Sequence, residues 1–171
     1  MHIVLVNPEI PQNTGNIART CAATGAMLHL IRPLGFELSD KYLKRAGLDY
    51  WKLMTLEIHE SWDDFTQKYP GARLHLATTK APRDYCAARY ADGDFLVFGR
   101  ETKGLDEALL RENYEKCVRI PMRSDARSLN LSNSVAILLY EALRQQGFPG
   151  LCDHGALTGR QDDAQPWMDY V

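Results

Sequence analysis

Residues 2–31 read HIVLVNPEIPQNTGNIARTCAATGAMLHLI, and this stretch decides the fold class. Its first five residues, His2 to Val6, form an apolar run with a β-branched bias, stopped by Asn7-Pro8. Such a run predicts a buried parallel strand. Ile17 to Ala23 follows as a helical stretch, with Asn13 or Thr14 placed to cap it and Gly25 placed to close it. Met27 to Ile31 is a second apolar run, ended by Arg32-Pro33. Strand, helix and strand in succession make the unit of a parallel sheet.

The same alternation continues down the chain. Asp40 to Ala46 predicts a short helix ending at Gly47, and Thr55 to His59 a strand. Ser61 opens a helix with Asp64 in a capping-box-like position. Arg73 to Ala77 and Asp94 to Phe98 read as strands, Asp106 to Arg111 as a helix, and Cys117 to Ile120 as a last strand. The longest helix is expected from about Leu131 to Gln146, stopped by Gly147 with Pro149 beyond. The fold class that follows is α/β, a mostly parallel sheet with helices on both faces. In the last helix Leu131, Val135, Leu138, Leu139 and Ala142 form one stripe, and Asn133, Ile137, Tyr140 and Arg144 a second face. That second face suits either a partner subunit or the margin of the core.

The chain has 171 residues, with 45% hydrophobic and 25% charged residues, so one ordinary globular domain is expected. No apolar run is long enough to span a bilayer, and the N-terminus has no basic leader or cleavage site. A cytoplasmic protein without membrane attachment is the expectation. Cys21, Cys86, Cys117 and Cys152 are scattered, which reads as four reduced thiols. The five histidines form no H-x-x-x-H pair, so no metal site is expected. Residues 153–171 change composition and read as a loosely ordered tail appended to a domain of residues 1–152. The tail holds four acidic residues and one basic residue. The whole chain is therefore net −2, while residues 1–152 alone are net +1.

Ligands of open α/β sheets bind beyond the carboxyl ends of the strands, so the loops there decide function. The first lacks a G-x-G-x-x-G fingerprint. Gly99 to Gly104 has the glycine spacing of a Walker loop, but Leu105-Asp106 replaces its lysine and hydroxyl. Three other segments are informative. Asn13 to Arg19 (NTGNIAR) offers amides, a hydroxyl and a helix N-terminus for an anion, with Asn16 and Arg19 on one face. Phe98 to Leu105 (FGRETKGL) brackets a charged loop with Gly99 and Gly104, which permit close backbone approach to a ligand. Arg119 to Asn133 (RIPMRSDARSLNLSN) crowds Ser128, Asn130, Ser132 and Asn133 at a helix entrance, more polar groups than one cap requires.

With these motifs in order, the sequence resembles the SpoU branch of the SPOUT RNA methyltransferases, from about Ile3 to Gly150. Asn7 to Gln12, Arg45 to Tyr50 and Gly147 to Gly150 narrow the resemblance to the minimal single-domain tRNA wobble-position 2′-O-methyltransferases. The resemblance implies an α/β-knot, with a deep trefoil knot near the C-terminus, and a homodimer whose sites draw on both subunits. It implies S-adenosylmethionine as cofactor and tRNA as partner, the target being the wobble cytidine or modified uridine of leucine tRNA. Cofactor contacts would fall at Thr78, Gly99, Gly104, Ile120, Met122, Ser128, Leu129 and Asn130. Arg19, with Asn16 beside it, Glu101, Asn130 and Tyr140 would be the catalytic set. A sulfonium methyl is already activated, so no metal is required. A guanidinium is a poor base near neutrality, which suits Arg19 to stabilising a developing alkoxide and holding a phosphate.

RNA contacts are expected from Arg19 and from a basic, aromatic-interleaved segment holding Lys41, Lys44, Arg45 and Tyr50. That segment equally describes a solvated helix with buried aromatics. Three other readings stand beside the main one: another tRNA or rRNA target, a non-catalytic RNA or adenosylmethionine-binding module, and a small-molecule enzyme for phosphorylated substrates.

Overall fold

The computed structural model describes residues 1–37, 54–152, 154–155 and 157. The helix expected at Asp40 to Ala46 lies outside the described residues, as does nearly all of the tail. The described elements are β1 (His2–Val6), α1 (Pro11–Thr24), β2 (Met27–Ile31), β3 (Leu56–His59), α2 (Trp62–Lys68), β4 (Leu74–Ala77), β5 (Phe95–Phe98), α3 (Glu107–Glu112), β6 (Cys117–Val118) and α4 (Leu131–Gln145).

The six strands form one sheet in the order β3-β2-β1-β5-β4-β6, and every pairing is parallel. The chain leaves β1 toward β2 and comes back through β5 on the other side of β1. The point of reversal therefore lies between β1 and β5, where the loops after the two strands part.

Alternation along the strands sorts the side chains into two cores. Ile3, Leu5, Leu28, Leu30, Leu96 and Phe98 point to one face, which α1 and α4 cover with Ile17, Ala18, Cys21, Val135, Leu138, Leu139 and Ala142. Val4, Ile31, Leu76, Phe95 and Val97 point to the other, covered by Phe65 of α2 and Leu110 of α3. Each fully buried Leu, Val or Phe side chain contributes about 1.5–3 kcal/mol, so these layers dominate the stability. The apolar stripe expected on the last helix is buried at Val135, Leu138, Leu139 and Ala142, while Tyr140 on the opposite face is 46% exposed. Cys21, Cys86, Cys117 and Cys152 are all free thiols. Burial pushes the Cys21 thiol up to about 12.

Two expectations shift at the ends of elements. α1 begins at Pro11, earlier than Asn13 or Thr14 as caps would allow, and its N-cap is Ile10. Proline suits the first helical position because its missing N–H costs nothing there. Asn13 and Thr14 are thereby turned inward and buried. Gly25 does close the helix, in the left-handed conformation at φ 71°. β6 is two residues long, shorter than the expected Cys117 to Ile120. Arg119 pairs instead with the Arg83–Tyr85 backbone, and Pro121 has no N–H to continue a ladder. At α2 the expected cap is present: Ser61 accepts from the Asp64 N–H, and the Asp64 carboxylate accepts from the Glu60 N–H.

Candidate functional site

The segments beyond the carboxyl ends of β4, β5 and β6 wall a cleft of about 560 Å³. That volume lies in the range of small-molecule sites. Thr78 to Lys80 follow β4, Gly99 to Leu105 follow β5, and Ile120, Met122 and Arg127 to Leu131 follow β6. Ile10 and Asn13, at the start of α1, close the remaining side.

The loop after β5 is folded tightly on itself. The Gly104 N–H donates to the Arg100 carbonyl at 2.8 Å, and Gly104 has φ 71°. A Cβ on Gly99 would lie 2.0 Å from the Gly104 carbonyl carbon and 2.2 Å from the Leu105 nitrogen. The space that Gly99 leaves is therefore filled by the protein's own backbone. Its glycine is demanded by the loop before any ligand is considered.

Glu101 sits at the tip of this loop and ties it to α1. One carboxylate oxygen accepts from the Glu9 N–H at 2.8 Å. The other accepts from the Ile10 N–H at 3.2 Å and from the Asn13 side-chain amide at 3.0 Å. The anion that the start of this helix attracts is thus the protein's own Glu101. Glu9 returns the contact by accepting from the Thr102 hydroxyl at 2.8 Å.

From Asn13 the chain of hydrogen bonds continues. Its side-chain oxygen accepts from the Asn130 amide at 2.9 Å. The Asn130 oxygen caps α4, accepting from the Ser132 N–H at 2.9 Å and from the Ser132 hydroxyl at 2.7 Å. Glu101, Asn13 and Asn130 form one relay that fixes the start of α1, the loop after β5 and the entrance of α4 relative to one another. Sequence reasoning missed the relay role of Asn13. The signal was Pro11: a helix beginning there puts Asn13 two positions inside, where a polar side chain needs a tertiary partner.

The structure brings nine of the expected site residues to this cleft: Thr78, Gly99, Gly104, Ile120, Met122, Ser128, Leu129, Asn130 and Glu101 all line it. It does not bring Arg19, Asn16 or Tyr140 there. Arg19 and Asn16 are exposed on α1 and Tyr140 on α4. Lys41, Lys44, Arg45 and Tyr50 lie outside the described residues. Asn13 to Arg19, expected to offer amides, a hydroxyl and a helix N-terminus to an anion, lie wholly within α1, whose first residue is Pro11.

The SpoU rRNA methylase family model matches residues 1–140 of this chain. The chain belongs to the SpoU rRNA methylase family. A tRNA (cytidine(34)-2′-O)-methyltransferase of Methylovorus glucosotrophus is 51% identical over 150 residues, 86% of this chain and 97% of that protein. A solved structure described as giving insights into 2-OH methylation of C/U34 on tRNA is 48% identical. It superimposes with a TM-score of 0.81 over 85% of this chain and 95% of the other. An AdoMet-bound rRNA methyltransferase of Sinorhizobium meliloti is 27% identical, with a TM-score of 0.73, over 84% of this chain and 55% of that one.

In this SpoU family member the cleft wall is mixed in chemistry. Leu105, Leu110, Ile120, Met122 and Leu129 give it an apolar side, and Thr78, Ser128 and Asn130 a polar one. Among the described residues the lining carries the cations Lys80, Arg100, Lys103 and Arg127 beside the carboxylate of Glu101. Lys80 pairs with Glu107 and holds that carboxyl below its ordinary range, while Arg100 faces Asp106 at 3.6 Å. Among the described residues Lys103 and Arg127 are the lining cations that face no carboxylate in an ion pair, and a polyanionic substrate suits them.

Proposed function

We propose that this SpoU family enzyme methylates the ribose 2′-hydroxyl of the tRNA wobble nucleotide, with S-adenosylmethionine held in the cleft beyond β4, β5 and β6. The observation that carries the reading is the convergence of residues from 78 to 130 on one cleft, with Lys103 and Arg127 in its lining. The names of the relatives at about half identity support the choice of nucleotide 34, and the AdoMet-bound neighbour supports the cofactor.

The cleft's chemistry fits that cofactor. Ile120, Met122 and Leu129 offer an apolar slot for a flat purine, and backbone groups beside Gly99 and Met122 can read its edge. Ser128, Asn130 and Thr78 would hold the polar methionine end. When bound, the cofactor supplies an activated methyl group on a sulfonium. The relay of Glu101, Asn13 and Asn130 holds the walls in place, so alignment is set before substrate arrives. Arg19 stabilises negative charge on the 2′-oxygen and grips the adjacent phosphate through its guanidinium.

Arg19, Asn16 and Tyr140 do not line the cleft of their own chain, and this supports a homodimer in which one subunit's α1 completes its partner's site. Exposed Tyr140 supplies apolar surface for such an interface. The basic segment with Lys41, Lys44, Arg45 and Tyr50 belongs to the proposal as the anticodon grip. So do the knotted threading, the cytoplasmic location and the separate tail of residues 153–171. Two features are consistent with the threading. β6, the last strand, lies at the sheet edge beyond β4, and the segment after it meets the loop after β5 across the cleft.

The test is incubation of the protein with unmodified tRNA and methyl-labelled S-adenosylmethionine, followed by mapping of alkali-resistant linkages. Label at nucleotide 34 in a 2′-O-methyl linkage is expected. Label at another tRNA position, or on rRNA alone, overturns the substrate assignment. Cofactor binding without transfer to any RNA overturns the activity.

A further inference from the structure

On the sheet face opposite α1 and α4, the parallel register brings together residues far apart in sequence. His29 of β2 pairs with Glu57 of β3, and Ile31 with His59. His29, Glu57 and His59 therefore point to the same face. His29 Nδ1 lies 3.1 Å from His59 Nε2, and Glu57 Oε2 lies 3.9 Å and 3.7 Å from those two nitrogens. Both imidazoles are buried, with His29 at 0% and His59 at 2% exposure, while Glu57 reaches partly to solvent.

We propose that His29 Nδ1, His59 Nε2 and Glu57 Oε2 form a binding site for a zinc-like divalent transition metal, separate from the methyl-transfer cleft. The point equidistant from the three atoms lies in their plane about 2.1 Å from each, the length of a zinc–imidazole or zinc–carboxylate bond, and a tetrahedral ion sits just out of that plane with the three ligands drawn slightly closer together. Two nitrogens and one oxygen are a borderline donor set of the kind zinc takes, with a fourth position open to water. The next layer is built as metal sites require. His29 Nε2 is 2.9 Å from His2 Nδ1, His59 Nδ1 faces Asp64 at 3.8 Å, and the Tyr69 hydroxyl donates to Glu57 Oε2 at 2.9 Å. The rings of Phe65, Tyr69 and Phe95 pack within 6 Å of the His29 ring and keep this side dry.

Proton bookkeeping closes without an added reactant. In the hydrogen-bonded pair one proton lies between His29 Nδ1 and His59 Nε2. Metal entry needs both lone pairs, so the imidazole carrying that proton moves it to its other nitrogen. His29 Nε2–H then donates to His2 Nδ1, with the His2 proton on its own Nε2, and the His59 Nδ1–H points toward Asp64, 3.8 Å away. Both rings stay neutral. Lys68, whose ammonium pairs with Glu57 Oε2 at 2.9 Å from an exposed position, gives way to the dication.

The test uses the full chain after chelator treatment, with Zn²⁺ titrated against a chromophoric chelator. One equivalent per chain is expected. Glu57→Gln is isosteric at a partly exposed position, and it should weaken binding at least ~10-fold while leaving the circular dichroism spectrum unchanged. His59→Gln should abolish uptake, and Lys68→Ala should tighten it by removing the competing ammonium. No uptake by the unaltered protein overturns the proposal and leaves His2, His29 and His59 as a purely structural hydrogen-bonded row. Uptake that Glu57→Gln leaves unchanged also overturns it, by assigning the metal to other donors such as Cys86 or Cys152.

Discussion

Replacing Glu101 with Gln separates a positioning role from a direct chemical one. The change keeps the side chain's shape and removes its charge and one acceptor. The carboxylate now accepts from the Glu9 N–H at 2.8 Å, the Ile10 N–H at 3.2 Å and the Asn13 amide at 3.0 Å. A Gln oxygen in place of Oε1 can keep the last two. Its NH₂ then faces the Glu9 N–H, so the shortest charge-assisted bond is lost and a donor opposes a donor. A hydrogen bond to a charged group is worth about 1.5–3 kcal/mol. The lost anion at a helix start adds up to about 1 kcal/mol, which partial exposure offsets. The expected cost is about 2 kcal/mol, or a fall in Tm of about 4–8 °C for a chain of this size.

The assay is urea unfolding of both proteins at neutral pH, with cofactor affinity and turnover measured beside it. The midpoint should fall at constant slope, the mark of a pure stability change. Cofactor binding should weaken, because Asn13 and Asn130 lie along the same relay. The maximal rate at saturating cofactor and tRNA should stay within about tenfold. General acid–base groups contribute about 10²–10⁴-fold. An unchanged midpoint with a rate loss of that size would refute the positioning argument and place Glu101 at the reacting atoms.

Other consequences follow from the same geometry. Gly99→Ala drives a Cβ into backbone at 2.0 Å, so the variant should lose cofactor affinity by more than ~100-fold, or fail to fold, since a main-chain clash has no cheap relief. Wild-type affinity by calorimetry would contradict the loop geometry. Mixing inactive Arg19→Ala and Asn130→Ala proteins under subunit exchange should restore about a quarter of the activity, because half of the dimers carry one intact composite site. No recovery in verified mixed dimers would show that Arg19 serves its own chain. Burial and neighbouring imidazoles lower His29 to about 3, and burial lowers His2, His59 and His75 from their ordinary value. Between about pH 6.5 and 3 the unfolded chain therefore binds protons that the folded chain refuses. Stability should fall on acidification through that window, read as a lower urea midpoint at pH 5 than at pH 7.5. An equal or higher midpoint at pH 5 would contradict it.

Much of the site was legible because its residues come in contiguous motifs. Gly99, Glu101 and Gly104 belong to one short loop, and Ser128, Leu129 and Asn130 to one helix entrance. Local spacing alone marked both as unusual. Asn13 was misplaced for a local reason. Asn and Thr are strong caps in isolation, but Pro11 sets the helix start earlier, and the Asn13 side chain donates instead to a carboxylate 88 residues away. The histidines were unreadable for the opposite reason. His29 and His59 are 30 residues apart, and nothing in the intervening sequence says which strand register will juxtapose them.

The sequence by itself determined the class of fold and the three segments that matter, since apolar periodicity and glycine placement act over a few residues. Its charge distribution also showed that the acidity lies in the tail, leaving residues 1–152 net positive. Only the tertiary structure decided what those segments do to one another. A parallel sheet brings together strands that the sequence holds apart. The cleft exists because β5, β4 and β6 are neighbours, the relay from Glu101 through Asn13 to Asn130 because β5 lies beside β1, and the row from His2 through His29 to His59 because β1, β2 and β3 are neighbours.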